Sequence, residues 1–345
     1  MKDIFVKPNA KILEALKKLD ETGEKVLLVV DENKKLIGTL TDGDIRRYIL
    51  KTGSLEGNID SIFNKKCKYI YINEIDKARE IIFKYKIELL PVVNENKEVI
   101  NYYKWTDFYE VLEYDIKLDV PVVIMAGGKG LRMSPFTKVL PKPLLPLKGK
   151  TLIENVIDSF KKFGIRKFYI TLNYKGKIIE TYFNSMEKDY EVDFIWEDNF
   201  LGTAGSLYYL KQKINTDFFV SNCDILLKVN YFEIFNYHKS NDAILTSITS
   251  VNYYRIPYGV VSIKENGVIE KIIEKPEYTF IVNTGVYILK DKVFEYINEK
   301  IKLDMPNLMH ILIENKEKVI SYPVMASDYI DFGELETYQR EVDYV

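Results

Sequence analysis

The chain has 345 residues, 47% of them hydrophobic and 29% charged, with a formal net charge of −2. So balanced a charge argues against nucleic acid or an anionic membrane as partner, and no apolar run approaches the roughly 20 residues that span a bilayer. Two cysteines and two histidines are too few for a disulfide framework or a Cys/His zinc site.

The length predicts two or three domains, each with its own core. The opening stretch "MKDIFVKPNAKILEALKKLDE" lacks the apolar centre of a secretion signal, so a cytoplasmic location is expected. Sliding the first third of the chain by 63 residues lays "EKVLLVVDENKKLIGTLTDGDI" (24–45) over "IELLPVVNENKEVINYYKWTDF" (87–108) without a gap. Val29 and Val30 fall on Val92 and Val93, and Asp44 falls on Asp107. Each copy is predicted to run helix, strand, turn, strand, then a helix starting near the aspartate. The helical stretches "AKILEALKKLDE" and "EIDKAREIIFKY" have apolar residues three and four apart. One copy cannot bury both faces of so small a sheet, so two are expected to pack together. The expected boundaries are 1–58 for the first copy, 59–115 for the second, a linker at 116–120, and a larger domain at 121–345.

Past the linker, strands are predicted at 121–126, 167–173, 191–196, 217–222 and 242–251, and helices at 151–163, 204–212, 230–239 and 291–299. This alternation implies an α/β domain with a Rossmann-like, mostly parallel sheet covered on both faces. "YGVVSIKENGVIEKIIEK" (258–275) reads as an antiparallel hairpin turning at "ENG". Open sheets of this kind bind ligands beyond the carboxyl ends of their strands.

At one such end stands "VVIMAGGKGLRMSPFTKVLPKPLLPL" (122–147), positively charged with no acid before Glu154. It is not a Rossmann fingerprint, because the third glycine's place holds Met133, nor a Walker A loop, because Leu144 stands where a glycine is required. Without Cβ atoms at Gly127, Gly128 and Gly130, backbone N–H groups can turn towards phosphate oxygens. Lys129, Arg132 and Lys142 can neutralise phosphate charge, Arg132 with a planar fork. The segment is built to hold an anion.

"MAGGKGLRMSPFTKVLPKPLLPL" resembles the signature of the sugar-1-phosphate nucleotidyltransferases, or nucleoside-diphosphate-sugar pyrophosphorylases, and the likeness extends over most of residues 120–345. The repeat in front resembles a tandem CBS pair, a Bateman module. The resemblance implies the nucleotide-diphospho-sugar transferase fold. It implies a reaction in which a sugar 1-phosphate oxygen attacks the α-phosphorus of a nucleoside triphosphate and pyrophosphate leaves. The nucleophile is already ionised, so no side-chain base is needed, and cations must align two anions.

By the same resemblance, Arg132, Lys142 and Lys275 are catalytic. Ala126, Gly127, Gly128, Lys129 and Gly130 bind the triphosphate together with Gly202, Thr203 and Ala204 of "EDNFLGTAGSL". Gly259, Glu274 and Asn283 meet the sugar. Asp224 of "VSNCDILL" and Asp331 of "DYIDFGELETY" hold Mg2+ (or Mn2+). Asp331 has a competing reading as a helix N-cap, and Asp328 competes for its role. Cys223 is a soft neighbour rather than a ligand. In "GTLTDGDIRR", Thr41 and Asp44 match the CBS pattern for an adenine nucleotide. The second copy keeps Asp107 but has Asn101 and Lys104 for the glycine and threonine. Self-association through the CBS pair is also expected.

The nearest architecture is that of CBS-fused guanylyltransferases of bacterial surface-glycan pathways. It implies GTP and glucosamine 1-phosphate as substrates and a place in legionaminic acid synthesis. Mannose or heptose 1-phosphate, or another triphosphate, is the alternative within the class. A nucleotide-sensing protein with a retired active site is the alternative outside it, and the joint retention of Arg132, Lys142, Asp224, Lys275 and Asp331 argues against that.

Overall fold

The structure is a computed structural model that describes residues 2–85, 87–104, 107, 117–299 and 301–342. Within them, no helix is long and apolar enough to cross a membrane. Contacts divide the chain into two units, Met1–Glu113 with Met325–Ser327, and Tyr114–Val324 with Asp328–Val345.

The first unit holds β1 (Phe5–Val6), α1 (Ile12–Thr22), β2 (Val26–Val30), β3 (Leu36–Thr41), α2 (Asp42–Thr52), β4 (Ile70–Tyr71), α3 (Ala78–Tyr85), β5 (Leu89–Val93) and β6 (Val99–Lys104). The repeat read from sequence is a structural one. β1-β2-β3 and β4-β5-β6 form two three-stranded sheets of the same order. In both, the first pair is parallel and the second antiparallel, and the register slips at Val29/Val30 and at Val92/Val93. Their turns bond to each other, Leu36 N–H to the Lys97 carbonyl and Val99 N–H to the Lys34 carbonyl. The helix expected after Asp107, and part of the expected linker, lie outside the described residues.

The second unit continues with β7 (Val122–Met125), β8 (Pro146–Leu147), β9 (Lys150–Thr151), α4 (Leu152–Lys161), β10 (Lys167–Leu172), α5 (Gly176–Asn184), β11 (Glu191–Trp196), α6 (Gly202–Gly205), β12 (Phe218–Asn222) and β13 (Ile225–Leu227). It ends with α7 (Tyr231–Ser240), β14 (Leu245–Arg255), β15 (Val260–Ile263), β16 (Ile269–Ile273), β17 (Glu277–Leu289), α8 (Met305–Glu314), β18 (Val319–Val324), β19 (Tyr329–Asp331) and α9 (Leu335–Val342). Seven strands form one sheet in the order β11-β10-β7-β12-β17-β14-β18. Only β17 runs against the others. Period-2 alternation gives the sheet its two cores: Val122 and Ile124 face one, Val123 and Met125 the other.

Local chemistry explains where the elements begin. Thr151 and Glu154 form a reciprocal capping box at the start of α4. The hairpin is β15–β16, antiparallel and turning through Glu265–Gly267 as read from sequence. Two expected helices shrink. The one at 204–212 is α6 followed by a 3-10 turn, because the Ala204 and Gly205 N–H groups both bond to the Leu303 carbonyl. The one at 291–299 is a 3-10 turn, Asp291–Tyr296, long enough to bury Val293 and Phe294.

Candidate active site

Four neighbouring parallel strands, β11, β10, β7 and β12, deliver their carboxyl ends to one cavity of about 710 Å³, a size suited to a nucleotide. From β7 come Gly127, Gly128, Lys129, Gly130 and Arg132, with Lys142 further along the same loop. β10 supplies Thr171 and Asn173, the end of β11 Glu197 and Phe200, and the end of β12 Asn222, Cys223 and Asp224. Gly202, Thr203 and Lys302 complete the wall. Ala126 and Ala204 are buried behind it.

The charged groups meet at one point. Asp224 follows β12, and β13 pairs antiparallel with β19 so that Ile225 faces Asp331. The Phe332 N–H bonds to the Asp224 carbonyl at 3.0 Å. A Cβ on Gly333 would lie 2.6 Å from Asp331 Oδ1, 2.8 Å from Asp224 Oδ2 and 3.0 Å from Arg132 Nη2. The two carboxylate oxygens are therefore within 5.4 Å of each other, the sum of the first two distances. A side chain there would push these charged ends apart.

This convergence has a packing cause. Met133 and Phe332, the residues after Arg132 and Asp331, are both buried in a small core with Leu145, Leu147, Leu152 and Tyr338. Lys142 forms an ion pair with Asp224 in which both side chains are about nine-tenths buried. Burial, then the neighbouring Asp224 charge, pushes the Asp331 carboxyl up, while Lys142 and Arg132 oppose the rise. Burial and the same Asp224 charge push the Cys223 thiol up to about 12, leaving it protonated and inert. Asp331 also accepts the Gly333 N–H at 2.6 Å, a turn contact rather than a cap on α9, which begins at Leu335. Asp328 lies beyond the other end of β19, its carbonyl bonded to Lys228 N–H at 2.8 Å.

Glu197 was not singled out by sequence. It is 5% exposed and lines the cavity. One carboxylate oxygen accepts Leu201 N–H at 2.9 Å, and the other would sit 3.0 Å from a Gly127 Cβ. Burial pushes its carboxyl up. The adjoining loop is pinned by segment 303–305: Asp304 accepts Thr203 N–H at 3.2 Å, and Thr203 Oγ1 accepts Met305 N–H at 2.9 Å. Gly202 there has φ +81°, and a Cβ would meet the Leu303 carbonyl at 2.6 Å.

The expected sugar residues are not among those lining this cavity. Gly259 and Glu274 come together on the exposed β15–β16 hairpin region, where a Gly259 Cβ would lie 3.0 Å from Glu274 Oε2. Lys275 follows with φ +45°. Asn283, on β17, is bonded to Ser247, Gly285 and Tyr287. In the first unit, Thr41 and Asp44 form a capping box on α2, and the second Asp44 oxygen pairs with Arg47. Asp107 accepts Lys104 N–H at 2.7 Å. The Lys104 ammonium reaches Glu24, a carboxylate 9% exposed, at 2.6 Å, and Lys2 lies 3.1 Å from the same oxygen.

Residues 121–343 match the family model described as nucleotidyl transferase, and residues 1–51 match that of the CBS domain. The chain belongs to the nucleotidyl transferase family. Among curated relatives, the mannose-1-phosphate guanyltransferase of Yarrowia lipolytica is 31% identical over 51% of this chain and 51% of its own. The bifunctional protein GlmU of Methanococcus maripaludis is 29% identical over 56% of this chain and 47% of its own. The chain thus spans about half the length of these relatives. Among solved structures, HddC from Yersinia pseudotuberculosis is 26% identical, with a TM-score of 0.52, over 65% of this chain and 99% of its own. A structure of HddC complexed with GMP-PN aligns with a TM-score of 0.50 at the same identity and coverage.

Proposed function

We propose that the chain transfers GMP from GTP to a sugar 1-phosphate, with glucosamine 1-phosphate the preferred acceptor, giving GDP-glucosamine and pyrophosphate for surface-glycan (legionaminic acid) synthesis. The observation that carries the transferase reading is the meeting of Arg132, Lys142, Asp224 and Asp331 beside a glycine loop. An ionised phosphate needs no base, so the chain's work is to bring two anions together and offset the charge that shifts between them. Arg132 and Lys142 do this from the loop. Asp224 and Asp331 fit a hard divalent ion: magnesium takes one or two carboxylates and completes its shell with phosphate oxygens and water. The two carboxylates, one buried and one half-buried, lie close enough to share such an ion. The ion would supply positive charge to phosphate oxygens.

Glu197 supports guanine. A carboxylate accepts two adjacent donors, and among the common bases only guanine offers N1–H and N2–H side by side. Hydrogen bonds to the charged form would also oppose the rise that burial causes. Mannose 1-phosphate is the second reading, favoured by the likeness to the Yarrowia lipolytica guanyltransferase.

Pyrophosphate release should be measured with four triphosphates against glucosamine, mannose, heptose and glucose 1-phosphates. The highest kcat/KM is expected with GTP and glucosamine 1-phosphate. A higher value with mannose 1-phosphate would select the second reading, and no release with any pair would end the transferase reading. Arg132→Lys keeps the charge but loses the planar fork. Its kcat should fall about 100-fold, or about 2.7 kcal/mol, with KM nearly unchanged. A rise in KM alone would make Arg132 a docking group.

A further inference from the structure

Residues 136–140, between the glycine loop and Lys142, lean on the core at two places only, the Phe136 ring 6.2 Å from that of Tyr338 and the buried Thr137. Phe136 and Leu140 are exposed, and Val139 is 76% exposed. Its backbone is held by polar contacts. The Lys175 ammonium donates to three consecutive carbonyls, those of Thr137 at 3.1 Å, Lys138 at 2.7 Å and Val139 at 3.0 Å. An ammonium has three donors, and each has an acceptor. These carbonyls end the 3-10 turn Phe136–Lys138, where unpaired acceptors and partial negative charge collect.

The arrangement is anchored on both sides. Lys175 precedes α5 with φ +53°, a left-handed conformation unusual for a lysine. Next to it, Tyr174 N–H bonds to the Gly127 carbonyl at 3.3 Å. Thr137, one of the clamped residues, donates its hydroxyl to the Gly130 carbonyl at 3.0 Å. A Cβ on Gly130 would lie 3.0 Å from both Thr137 Cγ2 and Lys142 Cβ. One turn at the end of β10 thus grips both ends of the phosphate loop.

We propose that Lys175 is a positioning residue for turnover, its ammonium fixing the 137–139 backbone so that Gly130 and Lys142 keep the spacing that aligns the triphosphate for attack. The kinetic part rests on the transferase reading, whereas the mechanical part does not.

Lys175→Met removes the donors and keeps the stem. In the full chain, trypsin cleavage after Lys138, followed by mass spectrometry, should accelerate at least tenfold without a change in Tm. The kcat should fall between 10- and 100-fold, with less than threefold change in KM for the sugar phosphate. Lys175→Arg, still a cation, should restore both to within about threefold of wild type. Unchanged cleavage would overturn the clamp. Faster cleavage with normal kcat would overturn its role in positioning. If the wild-type chain turned over no substrate, the cleavage rates would still decide whether Lys175 holds the loop. Lys175→Gln takes the place of the methionine variant should that one misfold.

Discussion

Asp224→Asn should cost turnover at least a thousandfold, about 4 kcal/mol of transition-state stabilisation, while the chain stays folded. Asp224 faces Asp331 across the position of Gly333 and pairs with Lys142. The amide keeps the shape but removes the charge that would share a divalent ion and hold Lys142 in place. Because the pair is about nine-tenths buried, the orphaned ammonium should also lower stability, by about 1–3 kcal/mol. Circular dichroism and a urea melt separate that from loss of fold. Turnover within tenfold of wild type, at saturating magnesium, would move the ion away from this carboxylate and dissolve the site proposed above.

Glu197→Gln should reverse base preference rather than abolish chemistry. The glutamine presents one acceptor and one amino group, so a guanine bound as proposed would meet a donor with a donor. Sites built around a specific buried hydrogen bond discriminate by large factors because the mismatch leaves a polar group unpaired. The kcat/KM for GTP should fall about 100-fold, or about 2.7 kcal/mol, while values for UTP or CTP stay level or rise. Equal losses for all four triphosphates would assign Glu197 to holding the loop through Leu201 N–H, the bond already seen at 2.9 Å.

What the sequence made legible was local or repeated. The glycine loop and its cations could be read because a strand end, missing side chains and uncompensated charge sit within 26 consecutive residues. The repeat could be read because a fixed offset of 63 preserves apolar pattern and turn alike. What escaped depends on partners distant in the chain. Lys175 looks like any surface lysine until its acceptors, 36 to 38 residues earlier, come into contact. Glu197 stands in a quoted motif, yet its meaning lies in burial against Gly127. Asp331 was picked out by resemblance, whereas the cause of its placement, the pairing of β13 with β19, was not legible. α8 and β18 went unread too, and α8 begins at Met305, whose N–H bonds to Thr203, directly after Asp304, which accepts the Thr203 N–H.

The Lys104–Glu24 pair shows how two halves of a duplication became dependent on one another. Threonine and isoleucine stand at the matching places of the sister copies, Thr41 and Ile87, so this bond has no twin. Giving Lys104 its sister's threonine would leave Glu24, 9% exposed, with the Lys2 ammonium alone, and giving Glu24 its sister's isoleucine would take the carboxylate from both lysines. Either exchange removes a contact that the sister copy lacks, so the two copies are no longer interchangeable at these positions.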